Sequence, residues 1–153
     1  MNPWLNTAAL HHYSFEAGFP LNVIVTLVYW AMLHEDFAEN PTYAIDQLQG
    51  VRIRLVHAFP LAFFVLNWLI SDVVMPSEHI GRTVTFSISY LLINYLYVQH
   101  IREEKGKALY DFLDWDADFS GALVFGTAMI FIVALVFWGL AKLTYLVKAD
   151  FVA

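Results

Sequence analysis

Six histidines and a recurrent series of hydroxyl and amide side chains are the residues of this chain whose chemistry could exceed packing. A neutral imidazole serves as a general base toward a hydroxyl nucleophile when the two lie within hydrogen-bond reach. His57 is the candidate catalytic residue, because it begins a polar stripe that ends at Asn67 inside a long apolar segment, with Pro60 loosening the backbone between them. An ionisable group at membrane depth is a functional candidate by default. The hydroxyl partners on offer are Thr26, Thr83 and Ser87, and none of them lies in a Gly-x-Ser-x-Gly elbow. His34, His57 and His100 fall at segment ends predicted to share one membrane face, where imidazoles could ligate zinc or haem iron. The spacing opposes this. No His-x-x-x-His or Glu-x-x-His pair puts two ligands on one helix face, and the adjacent His11 and His12 point apart. No metal and no cofactor is expected.

These residues are embedded in a chain of 153 residues that is 59% hydrophobic and 14% charged, whereas a soluble domain is about 45–50% apolar and about 25% charged. The apolar surplus must face lipid. A net charge of -6, with Arg102, Lys105 and Lys107 interleaved with Glu103 and Glu104, excludes a nucleic-acid partner. The absence of cysteine excludes disulfides, thiolate metal sites and cysteine nucleophiles. Neither a secretory signal nor a transit peptide is visible at the N-terminus. No internal repeat or linker divides residues 1–153, so a single transmembrane domain is expected.

A helix crosses the hydrocarbon with about 17–25 mostly apolar residues. Four stretches qualify: 17–33, with Pro20 tolerable in a first turn; 55–75, closing before Pro76; 83–99; and 119–143, where Lys142 can snorkel. The expectation is an all-α membrane protein, a four-helix transmembrane bundle with short loops. Trp30, Trp68, Trp115, Tyr29, Tyr97 and Tyr145 lie near the proposed ends, as an aromatic belt requires. Residues 34–54 and 100–118 then share one face and hold Arg52, Arg54, Arg102, Lys105 and Lys107, against Arg82, Lys142 and Lys148 on the other. The bias leans the first face weakly inward.

Helices in lipid associate through close packing and interhelical hydrogen bonds, so polar and small residues mark the inward faces. At about 100° per residue, His57, Pro60, Phe64, Asn67 and Ser71 share one stripe on the second helix. Thr83, Ser87, Tyr90, Asn94 and Tyr97 form another on the third, and Asn22, Thr26 and Tyr29 a third on the first. Asn22, Thr26, Asn67, Ser87, Tyr90 and Asn94 are therefore the expected polar packing seam. The fourth helix offers Ser120, Thr127, Ala134 and Ala141 every seven residues, the period of a close left-handed pair.

Gly18-Phe19-Pro20-Leu21 leading into Val28-Tyr29-Trp30, His57 with Asn67 ten positions on, and Gly106-x-x-x-Tyr110 followed by Phe112-Leu113-Asp114 occur in this order. In that order and spacing the chain, over about residues 18–143, resembles the androgen-induced gene and rolling-stone group of eukaryotic membrane proteins, some of which are intramembrane threonine hydrolases of lipid esters. By that resemblance His57 looks like the catalytic histidine, and the chain looks like the last four helices of a six-helix protein. The family's threonine lies on a helix upstream of the Phe-Pro motif, and Thr7 is not matched to it. Asn67 stands where the family usually has an acid, and Asp111 where it has proline.

Three functions follow as expectations. The first is a non-catalytic accessory or structural subunit of a larger membrane complex, with other membrane subunits and lipids as partners, in an energy-transducing membrane such as the mitochondrial inner membrane. The second is an intramembrane hydrolase of lipid esters, in an endomembrane or the plasma membrane, with His57 as base. The third is a small channel or transporter component, for which only Pro20 and Pro60 hint at broken helices.

Overall fold

The computed structural model describes residues 7–35, 47–105 and 110–148. Every regular element among them is helical. Helix α1 spans Thr7–Val28 and runs on through a π-helical turn, Tyr29–Leu33; α2 spans Gln47–Ile70, α3 Ile80–Lys105 and α4 Phe119–Val147. Three segments are long and apolar enough to cross a membrane: Ala9–Leu33, Gly50–Ile70 and Phe119–Val147. Helix α3 is the least apolar of the four. Residues 36–46, most of the first expected loop, and Gly106 and Lys107 lie outside the described residues.

Helix α1 begins at Thr7 rather than near Ala17, and this places Pro20 in the helix interior instead of a first turn. Proline cannot donate to the carbonyl four residues earlier, which here belongs to Glu16. The Thr83 hydroxyl of α3 donates to that carbonyl at 3.1 Å. Pro60 has a parallel effect in α2, freeing the Val56 carbonyl and crowding the next one. Thr26 of α1 donates its hydroxyl to the His57 carbonyl at 2.7 Å. Hydroxyls from a neighbouring helix thus serve backbone carbonyls beside both prolines, and they tie α1 to α3 and to α2.

Helix α2 stops at Ile70, short of the expected Met75, and residues 71–76 leave the helix. Lys148, just past the end of α4, donates to the carbonyls of Trp68 at 2.5 Å, Ser71, and Val73 at 3.4 Å. A cation that collects the last carbonyls of a helix also complements its dipole. The turned chain buries Val73 and Met75 against Phe15, Phe19 and Phe137, the larger core cluster. A second cluster, Val98, Leu113, Trp115 and Ala122, closes the other end of the molecule between α3, α4 and the turn before α4. Asp118 caps α4 there, accepting from the Gly121 amide at 2.9 Å and the Ser120 hydroxyl at 3.0 Å. Those two bonds hold its carboxyl below the usual carboxylate range.

Helix α1 is central: it packs against α2, α3 and α4, α3 packs against α4, and α2 makes its main contacts with α1. The α1–α2 crossing is close at Gly18, where an added Cβ would lie 2.5 Å from Phe64 Cζ. Phe64 is stacked on Phe19 at a centroid distance of 5.9 Å and cannot simply swing away. Gly18→Val is therefore expected to cost about 2 kcal/mol by overpacking, read as a lowered thermal midpoint in detergent. Gly81→Ala, where an added Cβ meets nothing within 4 Å, is the control and should stay near the wild type.

The packing face of α4 is not the expected heptad. Ala122, Gly126, Val133, Phe137, Ala141 and Thr144 are buried, while Ser120 and Thr127 are exposed and Ala134 is half-buried. A seven-residue period drifts around a straight helix by only about 20° per heptad, so the four small residues do lie along one side of α4, but that side is turned from the packed one and only Ala141 of the four is buried. Gly126 sets the α3–α4 approach, since a Cβ there would lie 2.9 Å from a Leu91 methyl.

Candidate functional site

The expected seam divides into two uses. Some members bond to their own helix: the Asn22 amide donates to the Gly18 carbonyl at 2.8 Å and the Ser87 hydroxyl to the Thr83 carbonyl at 2.9 Å. Others tie segments together. Thr26 binds the His57 carbonyl, and Asn94 accepts from the Trp115 indole at 2.8 Å, which anchors the turn before α4. Asn67 pairs with His11 at 3.3 Å across α1 and α2. Thr83, Ser87 and Asn94 are buried as the stripe predicts, but Tyr90 is 48% exposed and Tyr97 36%.

His57 lines a cavity of about 140 Å³ between α1, α3, α4 and residues 110–113, together with Ser87, Tyr90 and the apolar Ile24, Phe125 and Met129. Its Nδ1 lies 2.8 Å from the Ile53 carbonyl, one turn back in α2. A carbonyl only accepts, so Nδ1 carries the proton and the neutral ring keeps its lone pair on Nε2. The ring lies flat on Tyr29, centroids 4.0 Å apart and planes 9° from parallel. Tyr29 is buried in the π-helical turn, and its hydroxyl lies 3.5 Å from His34 Nδ1. His57 thus has the tautomer of a base. The hydroxyl of Thr26 gives its proton to the His57 backbone rather than to the ring. His100, at the exposed end of α3, joins neither His34 nor His57 in any contact among the described residues, and no group of metal-ligating residues occurs among them.

No family model, curated protein or solved structure matches this chain.

A second polar centre lies at the opposite end of the bundle and was not anticipated from sequence. Glu16 of α1 is 1% exposed. Its two carboxylate oxygens are held by His79 Nδ1 at 2.7 Å and by Arg82 at 2.9 Å. Arg82 also sits 4.1 Å above the Tyr13 ring, a cation–π contact that fixes its plane. The sequence signal was present but slight. Glu16 is an acid four residues before Pro20, and Arg82 lies in the segment predicted to share its face, yet a first span starting at Ala17 leaves Glu16 outside the bundle. These groups border an open cleft of about 530 Å³ that also takes in His12, Asp72 and Pro76.

Proposed function

We propose that this chain is a non-catalytic accessory subunit of a larger membrane assembly, a four-helix transmembrane bundle in which α3 also crosses, packed between α1 and α4. The observation that supports a non-catalytic role most directly is the use to which the seam is put. The hydroxyls of Thr26, Thr83 and Ser87 all donate to backbone carbonyls, so none of these three candidate nucleophiles gives its proton to the His57 ring. The resemblance to the androgen-induced gene and rolling-stone group agrees with a bundle of this kind whose role has moved from chemistry to packing.

Helix α2 supports the subunit reading. Val51, Leu55, Phe59, Phe63, Leu66 and Ile70 are all exposed and recur at helical spacing along one side of a helix that leans on α1. An apolar stripe of this length suits a neighbouring transmembrane helix of another subunit, with lipid filling the remainder. An energy-transducing membrane such as the mitochondrial inner membrane is the setting we propose for such an assembly. Extraction in mild detergent followed by native electrophoresis and mass spectrometry tests this: the chain should migrate in a large assembly at fixed stoichiometry. Migration as a small free species would overturn the reading.

A hydrolase of lipid esters is the second reading, and the apolar cavity beside His57 Nε2 is what favours it. On the subunit reading, His57→Ala removes only the stack on Tyr29 and one bond to its own helix, so the loss of stability should be about 1 kcal/mol and hydrolysis of long-chain esters by the purified chain should be indistinguishable from background before and after the change. Ester turnover that disappears in His57→Ala would establish the hydrolase instead.

A further inference from the structure

The cleft around Glu16 holds two charges of opposite sign that the fold leaves partly unused. Arg82 directs one terminal nitrogen at Glu16. A guanidinium has five N–H donors in a planar fork, and the remaining ones make no hydrogen bond among the described residues. The side chain is 37% exposed. Asp72, exposed on the chain leaving α2, lines the same cleft and has no ion pair or hydrogen bond among the described residues. The formal charges nearby balance, Glu16 against Arg82 and Asp72 against the Lys148 ammonium beneath it. A simple anion or cation would unbalance them. A ligand carrying one charge of each sign would not.

The position of the cleft narrows the choice. It lies where the candidate spans Gly50–Ile70 and Phe119–Val147 end and Ala9–Leu33 begins. A 25-residue segment such as the last exceeds the roughly 20 residues that the hydrocarbon requires, so its first turns lie at the level of the lipid headgroups. We propose that this cleft binds a phosphoethanolamine group, its phosphate on the free edge of Arg82 and its ammonium on Asp72, with phosphatidylethanolamine of the surrounding bilayer as the source. An ethanolamine ammonium has three N–H donors for a carboxylate, whereas choline has none. The Tyr13 face that would otherwise cradle a choline is occupied by Arg82. Arginine presents the fork that matches phosphate oxygens. His12 and His79 face the same space. This assignment does not depend on whether the chain is a subunit or an enzyme.

The test uses the purified full chain, delipidated in detergent and titrated with dioleoyl phosphatidylethanolamine, phosphatidylcholine and phosphatidylglycerol, with bound lipid counted by native mass spectrometry. Phosphatidylethanolamine should bind about tenfold more tightly than either of the others, the difference expected for one charge-assisted hydrogen bond. Asp72→Asn should bring the first two lipids close to parity while leaving far-ultraviolet circular dichroism unchanged. Soluble glycerophosphoethanolamine separates the sources. Failure to displace the lipid at matched concentration supports the bilayer lipid, and effective displacement supports the same headgroup chemistry taken from solution. Equal binding of the three lipids, preference for the anionic one, or a preference that survives Asp72→Asn would overturn the proposal.

Discussion

Arg82→Ala is expected to destabilise the folded chain by about 3 kcal/mol. Glu16 is 1% exposed and, among the described residues, its carboxylate is held by Arg82 and His79. Removing the guanidinium leaves a buried anion to a single imidazole and strips the cation–π contact from Tyr13. Breaking one side of a buried ion pair costs about 3–5 kcal/mol, and the lower end applies because Arg82 is itself 37% exposed. The cost lies in the stranded charge rather than in the lost bond, so removing the charge should restore most of it. Glu16→Gln combined with Arg82→Ala should recover more than half of the loss, and thermal midpoints of the two single variants and the double variant measure the coupling. Additive losses would mean that Glu16 reaches solvent through the cleft without help from Arg82.

What could be read from sequence and what could not divides along the range of the interactions. Length and apolarity predicted four membrane-crossing segments, and three of them coincide with helices long and apolar enough to cross, because hydropathy is a local sum. The N-terminal part of α1 escaped that reading: His11, His12, Ser14 and Glu16 lower the local hydropathy although the helix continues through them. The polar stripe on α3 was half legible. Periodicity placed Thr83, Ser87 and Asn94 inward, but it cannot tell that Tyr90 and Tyr97 of the same stripe stay exposed. The prolines show the limit most plainly. Each announces a vacant carbonyl nearby in its own helix, yet the hydroxyls that bond there, Thr83 to the Glu16 carbonyl that Pro20 frees and Thr26 to the His57 carbonyl next to the one that Pro60 frees, lie 67 and 31 residues away. The Glu16–Arg82 pair, 66 residues apart, becomes visible only when α1 and α3 are packed side by side. The same distance in sequence explains why His57 could be singled out and its nucleophile could not. A base is a residue type in an apolar setting, whereas a nucleophile is a relation between two helices.

Lys148→Met is expected to cost about 3 kcal/mol and to loosen α2 from the rest of the molecule. The Lys148 ammonium binds the carbonyls of Trp68, Ser71 and Val73, groups that the end of α2 leaves without intrahelical donors. Methionine keeps the bulk of the stem and removes all three bonds at once. The corner has little to compensate, since Trp68 Nε1 and Ser71 Oγ are already buried there without a hydrogen-bond partner among the described residues. Because α2 rests chiefly on α1, freeing its C-terminal end should release the whole helix in part. Amide exchange should then accelerate across residues 61–70 and much less in α3, whereas a uniform rise would indicate global unfolding and contradict a local latch. The wild type carries a pH signature that the variant lacks. Burial pushes the Lys148 pKa below its ordinary 10.5, and Asp72 offsets this only in part. The unfolded chain therefore holds that proton to a higher pH than the folded one, and stability must rise with pH from the depressed value up to about 10.5. Lys148→Met should abolish that rise while retaining the lower baseline, which separates the charge of the lysine from the carbonyls that it satisfies.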